Sequence, residues 1–87
     1  MGQVFVHIAR LSAADNARVR RAVRGMVAST EGGQAAVAAR IGITSGGLSH
    51  FLRGRNGASM ALAMRVAAAA GVDVSDLVDL STAAEFS

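Results

Sequence analysis

Apolar residues recur every three or four positions along most of this chain, which is the period of an α-helix with one buried face. The pattern is clearest over residues 34–54, where two such stretches are separated at Gly42. We therefore predict a helix-turn-helix over this range, two short helices joined by a tight turn. Its buried positions form two apolar stripes, which consist of Val37, Ala38, Ile41, Leu48, Phe51 and Leu52.

The residues at the break have the chemistry of one helix ending and another beginning. Gly42 suits the left-handed conformation in which helices commonly end. Thr44 or Ser45 can then cap the next helix with its hydroxyl oxygen. Opposite its apolar stripe, the second helix carries a small, polar and basic face, which consists of Ser45, Gly46, Ser49, His50 and Arg53.

Two more helices are predicted from the same period and from their end residues. The first is capped by Ser12 and runs to Ser29 or Thr30, before a break at two glycines. Another is capped by Ser59 and ends at Gly71. With the helix-turn-helix, these segments predict an all-α fold.

The two ends of the chain complete the predicted fold. Residues 3–8 alternate in the period of a β-strand, and no second strand is apparent in the sequence. We therefore predict a short N-terminal strand that pairs with a second copy. A fifth helix, capped by Ser75, is predicted to continue through Leu80. Two sets of dimer contacts remain open: Val4, Phe5, Val6 and Ile8 in the strand, or Leu77 and Val78 in the last helix.

Length and composition favour a single small domain over residues 1–87. The chain is 52% hydrophobic and contains no cysteine, so it offers no disulfide and no thiolate metal site. No apolar run approaches the roughly 20 residues of a membrane span, and no signal peptide is recognisable. We therefore expect a cytoplasmic protein with no membrane association.

Enzymatic chemistry has little support in this sequence. The two histidines, His7 and His50, lie far apart, and the acidic residues are scattered. No nucleophile–base pair, metal-ligand spacing or phosphate-binding glycine motif is present. We expect a protein that is not an enzyme and that needs no metal or cofactor.

Charge is segregated along the chain. All nine basic residues are arginines at or before Arg65, and against two acids in that part they leave a charge of +7. The remainder, from Val66 on, has four acids and no base, which gives −4. A strongly basic region indicates a polyanionic partner such as DNA.

Four motifs in register resemble the DNA-binding domain of the phage lambda repressor and Cro family, the xenobiotic-response-element type. The resemblance covers residues 34 to about 80 and implies a five-helix repressor-like fold. The matching segments are Gln34–Ala38, Gly42–Thr44, Leu48–Gly54 and Ala67–Leu77.

The resemblance also implies a function and a set of contacts. It implies a sequence-specific transcriptional regulator, a dimeric repressor that binds a palindromic operator in the major groove of double-stranded DNA. Such proteins are bacterial or phage-encoded and associate with the nucleoid. The residues at the family's contact positions are Gln34 and Thr44 for the DNA backbone, Ser45, Gly46 and His50 for base edges, and Asn56 in the following loop, with Arg53 and Arg55 nearby.

This chain departs from the family's pattern at the start of the second helix of the motif. Family members often carry glutamines, which read adenine well, where this chain has Ser45 and Gly46. Two interpretations of its glycines are open: Gly47 permits close helix packing, or Gly46 lets the start of the helix approach DNA closely. The alternative function is an antitoxin-like or other protein-binding module that uses the same fold to hold a partner protein.

Overall fold

Four α-helices and one short 3₁₀ turn make up residues 10–79, the part of the chain that the computed structural model describes. No strand occurs in this part, apart from an isolated antiparallel bridge between Arg10 and Ser59. The elements, in chain order, are α1 (Ala13–Ser29), α2 (Gly33–Ile41), α3 (Ser45–Leu52), α4 (Met60–Ala70) and the 3₁₀ turn η1 (Val74–Asp76).

Helix ends follow the capping residues that the sequence predicts. The Ser12 hydroxyl oxygen accepts a hydrogen bond from the Asp15 amide at 3.2 Å, and α1 ends at Ser29. The Ser59 hydroxyl caps α4 in the same way. Gly71 ends α4 in the left-handed region, with φ of 74°. The predicted all-α class and the first four helices are therefore confirmed.

The core lies where α1 packs against α2, α3 and α4. It is built from small aliphatic side chains. Full burial of one valine or leucine side chain stabilises the folded state by about 1.5–3 kcal/mol. Both predicted stripes point into it, although Leu52 is half-buried. The largest fully buried side chains are Val19, Val23, Val37, Ile41, Leu48, Val66 and Val78.

The predicted fifth α-helix does not form within the described residues. Only η1 is helical there, with i→i+3 hydrogen bonds such as that from the Leu77 amide to the Val74 carbonyl at 2.9 Å. The Asp79 amide then donates to Asp15 Oδ1 at 3.2 Å, so the backbone turns toward the start of α1. A backbone amide that bonds to α1 is not available for a regular helix, which explains the difference.

Leu77 and Val78 lie in the core of their own protomer, where they are 7% and 2% exposed. Their side chains therefore pack inside the protomer. The other predicted dimer segment, residues 3–8, lies outside the described residues, as does Leu80. No helix of residues 10–79 is long and apolar enough to cross a membrane.

Asn16 joins three parts of the fold. Its side-chain amide donates to the Leu11 and Ser12 carbonyls, both at 3.1 Å. Its Oδ1 accepts a hydrogen bond from the Ala58 amide at 2.5 Å. This contact fixes the end of the loop between α3 and α4 against the start of α1.

Candidate nucleic-acid interface

The turn between α2 and α3 is compact and capped at both ends. Gly42 has φ of 78°, a left-handed conformation that only glycine adopts without strain. The Ile43 amide donates to the Ala38 carbonyl at 3.0 Å, and its side chain packs on the core. Thr44 Oγ1 then accepts from the Gly47 amide at 3.0 Å and caps α3. The predicted helix-turn-helix is therefore present in this chain.

One side of α3 is buried and the opposite side is open. Leu48 and Phe51 are 0% and 2% exposed. The opposite side, which we call the outer face of α3, is exposed except at Ser49, which is half-buried. Its residues are those that the sequence placed together: Ser45, Gly46, Ser49, His50 and Arg53.

The two glycines at the start of α3 differ in their surroundings. A Cβ on Gly47 would lie 3.1 Å from Thr44 Oγ1, the oxygen that caps the helix. A Cβ on Gly46 would meet nothing within 4 Å. Neither glycine has a positive φ. Gly47 therefore keeps room for the cap, whereas the fold imposes no requirement for glycine at position 46.

The last four carbonyl groups of α3 all accept hydrogen bonds, although the last four carbonyls of a helix have no partner within the helix itself. The Ser49 and His50 oxygens accept from the amides of Arg53 and Arg55, at 3.1 and 2.9 Å. Phe51 O accepts from the Gly54 amide at 3.0 Å. The remaining donors come from α1, as described next.

Two arginines of α1 reach the end of α3. Arg20 Nε donates to the Phe51 carbonyl at 2.8 Å, and Arg24 Nη2 donates to the Leu52 carbonyl at 2.7 Å. The Arg20 guanidinium also lies 5.0 Å from the centre of the Phe51 ring, within range of a cation–π contact. Sequence reasoning did not select either arginine, because nothing local indicates a partner about 30 residues away.

The loop that follows α3 carries the remaining predicted contacts. Arg55 and Asn56 are exposed in it, and the Arg55 amide folds back onto the His50 carbonyl. Arg10, which sequence reasoning did not select, brings its Nη1 to 3.7 Å from the position of a Cβ on Gly57. A second basic side chain therefore lies beside the loop, in addition to that of Arg55. Gln34 is half-buried in the first turn of α2.

Most of the positive charge in this region is not neutralised by carboxylates. Among residues 10–79, an ion pair joins Arg18 to Asp15 at 2.6 Å, within α1. Arg40 and Arg65 line a separate open groove between α2 and α4. Within the same residues, no group of histidine and acidic side chains could hold a metal ion.

Comparison with known proteins gives no relative for this chain: no family model, no curated protein and no solved structure matches it.

Proposed function

We propose that the protein is a sequence-specific DNA-binding transcriptional regulator, which places α3 in the major groove. The supporting observation is the outer face of α3, which is polar and open while the opposite face is buried. A helix presented in this way by a tight turn fits the major groove of B-DNA. The arginines around it supply charge for the phosphates.

The proposed contacts divide into two kinds. Base edges are read from the outer face of α3, by Ser45, Ser49 and His50, with Gly46 allowing a close approach. The DNA backbone is held by residues at the edges of this face, because phosphate contacts fix the position of a protein on the duplex. These residues are Gln34, Thr44, Arg53, Arg55 and Asn56.

We further propose a homodimeric repressor on a palindromic operator, as the resemblance to phage repressors implies. Two-fold symmetry would set the α3 helices about 34–36 Å apart, one turn of DNA. Since Leu77 and Val78 are buried in the protomer, residues 3–8 are the better candidate for the dimer contact. Sedimentation of a chain without residues 1–9 tests this assignment: it should be monomeric, and a persistent dimer would contradict it.

The salt dependence of DNA binding tests the proposed function. Arginine–phosphate contacts release counterions, so affinity falls steeply as salt increases. If a dimer makes about 6–10 such contacts, its affinity for duplex DNA should fall by about 10³–10⁵ between 50 and 200 mM salt. A salt-independent affinity, or no binding at 50 mM salt, would contradict the proposal.

One observation favours the second candidate function, a protein-binding module. Two large apolar side chains of residues 10–79 are exposed on the surface. They are Met64 on α4, which is 55% exposed, and Val72 just after α4, which is 43% exposed. An apolar side chain that is exposed on the surface can be covered by a partner protein. If the protein fails to bind DNA at low salt, these two side chains become the leading positions to examine.

A further inference from the structure

Arg20 and Arg24 lie one helical turn apart on α1 and both bond to the end of α3. Their donors reach the last two carbonyls of that helix, at 2.8 Å for Phe51 and 2.7 Å for Leu52. The two pairs are separated by 31 and 28 positions in sequence. These contacts therefore fix one helix against another and not a helix against its own loop.

The composition of α3 makes such contacts important. It has 8 residues and carries glycines at its second and third positions. Isolated helices shorter than about 12–15 residues are marginal in water, and each glycine costs about 0.5–1 kcal/mol relative to alanine. The helical conformation of α3 must therefore be stabilised by the cap at Thr44, by its buried face, and by hydrogen bonds to its last carbonyls.

Arg24 completes this set of partners. Within residues 10–79, Leu52 O accepts from the Arg24 guanidinium and Phe51 O from both Arg20 and Gly54. Guanidinium groups also carry a positive charge to the negative end of the helix dipole, which stabilises the helix further. Hydrogen bonds from a charged donor are roughly twice as strong as neutral ones.

We propose that Arg20 and Arg24 are positioning residues for DNA recognition: they hold the C-terminal end of α3 so that its outer face is already ordered when DNA arrives. This inference rests on the proposed function. If the helix is ordered before binding, the entropic cost of ordering it no longer reduces the binding free energy. The arginines act through α3, so replacing them lowers affinity without removing a phosphate contact.

The salt slope separates this role from direct binding of a phosphate. The slope of log affinity against log salt counts the phosphates that the protein neutralises, at about −0.9 for each. Replacing a positioning arginine leaves the slope unchanged. Replacing a phosphate-binding arginine reduces the magnitude of the slope by about one for each phosphate that the protein no longer neutralises.

The experiment compares three variants of the full chain. Arg24→Ala removes an exposed donor, which makes it the variant most compatible with folding. Arg20→Lys keeps the charge but loses the planar guanidinium and its Nε donor. Arg21→Ala is the matched control for Arg24→Ala, because Arg21 is exposed on the same helix and its replacement removes the same charge. Each variant is measured for duplex-DNA affinity across salt and for amide hydrogen exchange without DNA.

Arg24→Ala and Arg20→Lys should each weaken DNA binding by about tenfold, the scale of one charge-assisted hydrogen bond, with an unchanged salt slope. The amides in the last turn of α3 should exchange about tenfold faster, while those of α4 keep their rates. Arg21→Ala should leave the exchange of α3 unchanged.

Two results would overturn the inference while the wild-type protein still binds DNA. The first is a reduced salt slope with normal exchange in α3, which would make these arginines phosphate contacts. The second is normal affinity in both variants. Failure of the wild-type protein to bind DNA would instead overturn the proposed function, and the exchange rates would still show whether the arginines order α3.

Discussion

The two ends of α3 are held in opposite ways. At its start, Thr44 supplies a cap from three residues away, and the Ser45 and Gly46 amides meet no acceptor in the described part of the chain. At its end, all four terminal carbonyls have partners, two of them supplied by α1. One end is open and the other is closed by the fold.

This difference suggests how a short, glycine-containing helix can act as a reading element. The closed end and the buried face fix its direction. The open end presents free N–H groups and the positive end of the helix dipole, which suit a phosphate or another anionic group. Removing contacts at the closed end should therefore affect stability most, and changes at the open end should affect binding more than stability.

The largest effect is expected from Phe51→Ala, which breaks the closed end. The ring is 2% exposed and lies under the Arg20 guanidinium, so its removal leaves a cavity and takes away a partner of that arginine. We expect a decrease of about 3–5 kcal/mol in the free energy of unfolding, measured by denaturant titration. Met64→Ala, at an exposed site of α4, is the control and should change stability by less than about 0.5 kcal/mol.

A smaller effect is expected at the open end, where the two glycines should respond differently to alanine. Gly46→Ala adds a Cβ in open space and should stabilise the protein by about 0.5–1 kcal/mol. Gly47→Ala crowds Thr44 Oγ1, so part or all of this gain should be lost with the cap, which is worth about 0.5–2 kcal/mol. Denaturant titration of both variants gives the comparison.

DNA binding by the same pair sharpens the contrast. Gly46→Ala should weaken binding even though the protein becomes more stable, because the added methyl group lies on the side of α3 proposed to approach DNA. Affinity that rises together with stability would show that Gly46 has no role in a close approach. Equal stability changes in both variants would contradict the account of the cap.

The local features of this fold could be predicted from the sequence. Ser12 and Gly42 act on residues three or four positions away, so their roles follow from short-range rules of helix capping. The same rules restrict the cap of α3 to Thr44 or Ser45, and the structure shows that it is Thr44. The buried stripes of α2 and α3 follow from the helical period alone. The position of the outer face of α3 follows as well, because it lies opposite the buried stripe.

The long-range contacts could not be predicted in this way. The partners of Arg20 and Arg24 are backbone carbonyls, which leave no sequence pattern. The pattern after Ser75 fits a helix, but a hydrogen bond from Asp79 to Asp15 Oδ1 turns the chain instead. Such bonds depend on how helices pack, which neighbouring residues do not specify.

We have proposed that the outer face of α3 reads DNA sequence, and selection from randomised duplexes can test this claim. His50→Ala should lose discrimination at one defined base position, by about 1–3 kcal/mol, because His50 is exposed on that face. Arg55→Ala should weaken all sequences alike, as removal of a phosphate contact does. Arg40→Ala, which removes the same charge from the separate groove, is the control. If His50→Ala selects the same sequences as the wild-type protein with the same discrimination, the claim is contradicted.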